Sequence, residues 1–171
     1  YSEFFGHEET ALVARAASNV AFGLQSLDRE ERRREAESSL RKVSMALDQT
    51  PVSIVITDTG GGIEYVNPFF TRITGYTAEE ARGSNPRILK SGATSAEEYA
   101  RLWEKISSGG IWEGVFHNRR KDGSFFWEHA TIAPVRDAAG RITNYVAVKE
   151  DITERRKAQR ALEESEARHR L

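Results

Sequence analysis

Chemistry needs nucleophiles, metal ligands or paired titratable groups at a working spacing, and few residues of this chain qualify. Cysteine is absent, so thiolate nucleophiles, disulfides and Cys-based zinc or iron–sulfur sites are excluded. The four histidines, His7, His117, His129 and His169, form no cluster with metal-ligand spacing. Gly60-Gly61-Gly62 is not followed by the Lys-Ser/Thr of a phosphate loop; it reads as a turn in which glycine supplies positive φ. No Ser–His–Asp pattern stands in a credible context. Glu128 is the exception. Alternate residues of a strand share a face, so Phe126, Glu128, Ala130 and Ile132 point one way and Trp127, His129 and Thr131 the other. If the first set faces inward, Glu128 is buried and needs a cation such as Lys149 from a neighbouring strand. No catalytic constellation results, and the chain is expected to be no enzyme.

Composition narrows the class further. The 171 residues carry 25 basic and 26 acidic side chains, a net charge of -1, so no global pull toward nucleic acid or anionic lipid exists. With 39% hydrophobic and 30% charged residues the chain can bury a core and is neither disordered nor membrane-like. No apolar run approaches the length of a bilayer span, and YSEFFGHEET is not a signal peptide. A cytoplasmic location is expected.

Three zones must position the candidate residues. Residues 7–47 read as helix, with one apolar seam at Val13, Ala17, Val20, Leu24 and Leu27 and a second at Ala36, Leu40, Val43 and Leu47. The charged block 28–35 separates the seams, either as a plain solvated stretch or as a phase break in a coiled coil. Pro51 ends the helix. From 52 the period changes: Val52–Thr57 and Ile63–Asn67 form a hairpin around Asp58–Gly62. A short helix opens at Pro68 and stops at Gly75, Thr77-Ala78-Glu79-Glu80 is a capping box, and Ser95 caps a helix carrying Tyr99, Leu102, Trp103 and Ile106. Strands Trp112–Arg119, Phe125–Val135 and Ile142–Glu150 follow, joined by turns at Lys121–Ser124 and Asp137–Gly140. The order predicts an α+β domain with a five-stranded antiparallel sheet covered on one face by the intervening helices. Residues 153–171 are helical again, with a stripe of Ala158, Leu162, Ser165 and His169 too thin to support a lone helix.

These residues resemble PAS domains. The resemblance covers roughly 48–155 and rests on Asn67-Pro68-Phe69-Phe70, Thr74–Glu80, Gly83-Ser84-Asn85-Pro86-Arg87, Asn118–Gly123, Ile132-Ala133-Pro134-Val135 and Asp151-Ile152-Thr153-Glu154-Arg155. Residues 1–27 resemble the closing helix of a GAF domain, carried by Phe4–Glu9 and Ala21–Leu24. The resemblance implies four segments: a GAF-like end at 1–27, a signalling helix at 28–47, a PAS domain at 48–153 and a C-terminal signalling helix at 154–171.

Within PAS domains the text leans toward the flavin-binding branches. In blue-light flavin (LOV) domains a Gly-x-Asn-Cys-Arg segment faces the ring, and here Pro86 stands where the photoactive thiol would be. Asn85, Arg87 and Asn118 match flavin-contacting positions of that pattern; Lys90, Glu128 and Lys149 depart from it. Trp112, Asn118 and Glu128 agree with the FAD-binding redox sensors of nitrogen-fixation regulators. The resemblance therefore implies either no cofactor or a flavin (FAD or FMN), with Asn85, Arg87, Trp112, Asn118, Glu128 and Lys149 as contacts and Trp112 as a wall. Haem is disfavoured, because Gly75–Gly110 offers no axial histidine.

Functionally, the resemblance implies a sensor of a small ligand or of redox state. Asp151, Ile152 and Thr153 would pass the signal from sheet to C-terminal helix, and on through a coiled-coil homodimer to an effector of a two-component or cyclic-dinucleotide type in the parent protein. The expected partners are a second copy, adjacent GAF-like and PAS or effector domains, and a small molecule. A ligand-free dimerisation and spacer module is the competing expectation.

Overall fold

The computed structural model describes the backbone of residues 7–169 and the side chains of residues 27–168. Two units are compact in themselves, Tyr1–Ala46 and Leu47–Leu171.

In the first unit the chain is helical from His7, within a helix α1 that runs His7–Gln49. Its charged block forms i,i+4 pairs, Arg32 with Asp28 at 3.1 Å and Arg34 with Glu30 at 2.6 Å. Exposed pairs of this kind add little stability. Leu40 and Val43 of the second seam are exposed. The side chains of the first seam before Leu27, and those carrying the GAF-like resemblance, lie outside the described residues.

The second unit is built on one antiparallel sheet. Strands β1 (Ser53–Asp58), β2 (Ile63–Val66), β3 (Trp112–Arg119), β4 (Phe125–Arg136) and β5 (Ile142–Asp151) lie in the order β2-β1-β5-β4-β3. Local turns join β1 to β2, β3 to β4 and β4 to β5, and the long-range pairing of β1 with β5 closes the order. The Asp58 carboxylate accepts the amides of Gly60 and Gly62, each at 2.8 Å, which folds the first hairpin. Helices α2 (Pro68–Thr74), α3 (Ala78–Ala81) and α4 (Ala96–Ser107) and a 3-10 turn at Pro86–Leu89 lie between β2 and β3.

Each helix carries its own start and stop. Asn67 caps α2, and Gly75 at φ 80° ends it in the left-handed region. Thr77 with Glu80 and Ser95 with Glu98 close reciprocal capping boxes on α3 and α4. The 3-10 turn was not expected from the sequence. It forms because the Asn85 side chain accepts the Arg87 amide at 3.1 Å and Pro86 occupies the first turn.

The core divides into two clusters along the inner sheet face. One gathers Val55, Ile63, Val66, Phe70, Ala81, Leu89, Phe126 and Ala147. The other gathers Leu102, Ile106, Phe116, Ala130 and Tyr145, with Tyr99, Trp103 and Trp112 packed against it. The final helix α5 spans Thr153–His169.

Candidate functional site

Between α4, the 3-10 turn and the inner face of β1, β3, β4 and β5 lies a cavity of about 450 Å³, within the size range of small-molecule sites. Tyr99, Leu102, Trp103 and Ile106 of α4 form its roof, and Phe116, Ile132, Tyr145 and Ala147 form much of its floor. The aromatic groups brace one another: Tyr99 stacks on Phe116 at 6.0 Å, and Trp103 meets Tyr145 edge-on at 5.8 Å. Burial pushes the Tyr99 phenol above its usual pKa, partly offset by a hydrogen bond to Thr94.

Of the residues expected from the sequence, Asn85, Arg87, Asn118 and Lys149 line this cavity. Asn85 is held by its cap on the 3-10 turn and lies against Gly61, where a Cβ would approach its Nδ2 to 2.6 Å. Lys90 also lines the cavity; its ammonium lies 4.8 Å over the Tyr99 ring, and its backbone bridges to Asn118. That bridge, with a hydrogen bond from the Ser91 hydroxyl to the His117 carbonyl, ties the 3-10 segment to the free edge of the sheet.

Glu128 is 1% exposed and lies one layer behind the lining. Its Oε1 accepts from the Lys149 ammonium at 2.8 Å and from the Asn118 amide at 3.1 Å. The inward parity of β4 is as expected: Phe126, Glu128 and Ala130 are buried, and the cation needed by the carboxylate is supplied by β5. Trp112 lies elsewhere than expected. Its indole runs along the strand over Gly114, where a Cβ would stand 2.5 Å from the ring, and it stacks on Phe116 at 4.9 Å. It therefore backs a wall residue and does not itself line the cavity.

Asp151, Ile152 and Thr153 form a tight joint where β5 becomes α5. Asp151 Oδ1 accepts the Thr153 amide and Oδ2 accepts Arg120, at 2.9 and 2.7 Å. Trp127 brackets the turn, its carbonyl accepting the Ile152 amide and its amide donating to Thr153 Oγ1, both at 2.9 Å. Arg120 also donates to the Ile73 carbonyl of α2 at 2.7 Å. One guanidinium thus links the end of α2 to the start of α5.

The sequence places Tyr99 and Trp103 on the helix capped by Ser95 without marking them as site residues. Ala96, Tyr99, Ala100 and Trp103 share one helical face by their spacing, and two small residues on that face were the available sign of an opening. Gly61, Thr57 and Tyr145 carried no comparable local sign.

Residues 51–154 match the PAS domain family. The chain belongs to that family. Over 130 residues this PAS domain and its flanks are 37% identical to the bacterioopsin transcriptional activator of Halobacterium salinarum, covering 74% of this chain and 19% of that protein. Over 107 residues they are 35% identical to the nitrogen fixation regulatory protein of Klebsiella oxytoca, covering 63% and 22%. The chain spans about a fifth of the length of these two relatives. Among solved structures, a light-oxygen-voltage domain described with a flavin analogue superposes with a TM-score of 0.60 at 32% identity, covering 71% of this chain and 93% of that one. The PAS domain is thus a sensory domain homologous to signal-transduction regulators. No helix among the described residues is long and apolar enough to cross a membrane.

Proposed function

We propose that this PAS domain is the sensory part of a larger regulator, that its cavity takes a flavin, and that the state of the flavin is passed through Asp151-Ile152-Thr153 into α5. The observation that carries this reading is the cavity with its polar end. Asn118 and Lys149 are buried at one end of an otherwise aromatic hollow, held by Glu128 behind them. A buried ion pair is poor evidence for stability, since apolar residues of equal volume do as well or better. Its presence under a hollow supports a binding role.

The residues fit a flavin. The ring has an apolar benzenoid end suited to Tyr99, Trp103 and Phe116, and a pyrimidine edge of alternating acceptors and donors suited to Asn85, Asn118 and Lys149. Arg87, exposed beside Lys90, suits a phosphate. When bound, a flavin supplies one- or two-electron redox chemistry. The chain contributes orientation, exclusion of water by the aromatic roof, and a buried cation at one end; without cysteine it forms no thiol adduct.

The wider organisation is part of the same proposal. Residues 48–153 act as the sensor, residues 28–47 and 154–171 act as signalling helices, and residues 1–27 end a GAF-like domain. A homodimer through the helices hands the signal to an effector of the parent protein in the cytoplasm. The exposed apolar side chains of Leu40, Val43 and Leu162 support a partner helix.

The test is the absorption spectrum of the purified chain, followed by titration with FMN and FAD. A flavin spectrum, or saturable quenching of flavin fluorescence weakened at least about ten-fold in Asn118→Ala (about 1.4 kcal/mol), is expected. A colourless chain whose melting temperature ignores both flavins overturns the reading in favour of a spacer module.

A further inference from the structure

One buried hydroxyl has no partner. Ser53 is 2% exposed, and its Oγ is the buried side-chain polar atom among the described residues that makes no hydrogen bond. Such groups are rare and call for a physical reason. Ser53 stands directly opposite Lys149 in the β1–β5 register, so the two side chains share the inner face at Cβ separations of about 4.5–5.5 Å.

Lys149 has three N–H donors, of which one meets Glu128 Oε1. That same oxygen holds the Asn118 amide, so Glu128 keeps a partner if the ammonium leaves. The two acceptors flanking Lys149 stand beside different helix joints. Glu128 faces Asp151 across β4–β5, beside the Trp127 bracket that fixes the start of α5. Ser53 precedes Ile54, whose amide donates to Asn67 Oδ1 at 2.9 Å. The Asn67 amide donates in turn to the Leu47 carbonyl in the last turn of α1, at 3.0 Å.

We propose that Lys149 is a two-position group and that Ser53 is the positioning residue for its second position, taken up when Glu128 loses its charge. With Glu128 ionised, the ammonium stays on the carboxylate at the α5 joint. With Glu128 neutral, the attraction is gone and the ammonium turns to Ser53 Oγ, on the strand that leaves the α1 joint. The two positions of Lys149 do not rest on the proposed sensory function.

A ligand-free double-mutant cycle tests the two positions on the full chain. Urea midpoints are measured for the wild type, Ser53→Ala, Glu128→Gln and the double variant. Ser53→Ala is expected to raise the midpoint of the wild type by removing an unpartnered hydroxyl, and to lower that of Glu128→Gln by removing the acceptor that Lys149 has taken. Equal shifts of one sign in both backgrounds overturn the proposal. Should Glu128→Gln fail to fold, Glu128→Met takes its place, since it is uncharged and of similar length; the same reversal is required, and its absence is again fatal. Failure to bind FMN would overturn the sensory function and leave this cycle unaffected.

Discussion

Under α2 and α3, and against Leu89 at the end of the 3-10 turn, the inner sheet face is packed shut. Phe70, Leu89 and Phe126 are each no more than 1% exposed, and Ala81 is fully buried among them. Under α4 the same sheet carries Phe116 and Tyr145, which meet Tyr99 and Trp103 of the helix face and edge yet leave a hollow. Short elements can each settle independently against the sheet. A single twelve-residue helix braced by aromatic rings spans it as a roof. The difference assigns stability to the first half and binding to the second, with β5 running beneath both and ending in the α5 joint.

The largest break in that division is Phe126→Ala. It empties the packed half at a fully buried position, and urea unfolding should show a loss of about 3–5 kcal/mol. A paired substitution sharpens the contrast. Ala81→Leu overfills a closed site and should cost about 1–3 kcal/mol, whereas Ala147→Leu projects into the hollow and should cost clearly less while blocking FMN. Equal costs would mean that the hollow does not accept added volume.

The smallest effect is a pH dependence at the rim of the packed half. The Glu80 carboxyl is held below its usual pKa, chiefly by its hydrogen bond to Lys121 and then by the Thr77 amide. A depressed carboxyl stabilises the folded form above its ordinary titration range and loses that contribution as pH falls through the lowered value. Amide exchange at Thr77 and Ala81 should therefore quicken below the ordinary glutamate range, and Glu80→Gln should abolish that dependence.

What was legible in the sequence was local. Asp58 with its glycines, Thr77 with Glu80, and Ser95 each act on a backbone within four residues, so their text and their geometry coincide. Strand parity carried one step further, because burying Phe126 and Ala130 forces Glu128 inward and obliges a cation to meet it. The rest depends on what stands opposite. Trp112 could be given to the ligand site until Gly114 was seen to let its ring lie along the strand. Ser53 acquires meaning only from the β1–β5 register, which joins residues nearly a hundred positions apart. Asn67 could be read as part of a motif, yet its four hydrogen bonds to Ile54, Phe70, Leu47 and Val52 are a tertiary fact.

The central claim is that filling the hollow half is felt at the α5 joint, and hydrogen exchange of the wild-type chain with and without FMN measures it directly. Exchange at the Ile152 and Arg156 amides, which bond to the Trp127 and Ile152 carbonyls, is predicted to change together with exchange in α4. FMN binding that alters α4 and the 3-10 turn while leaving Ile152 and Arg156 untouched would contradict it.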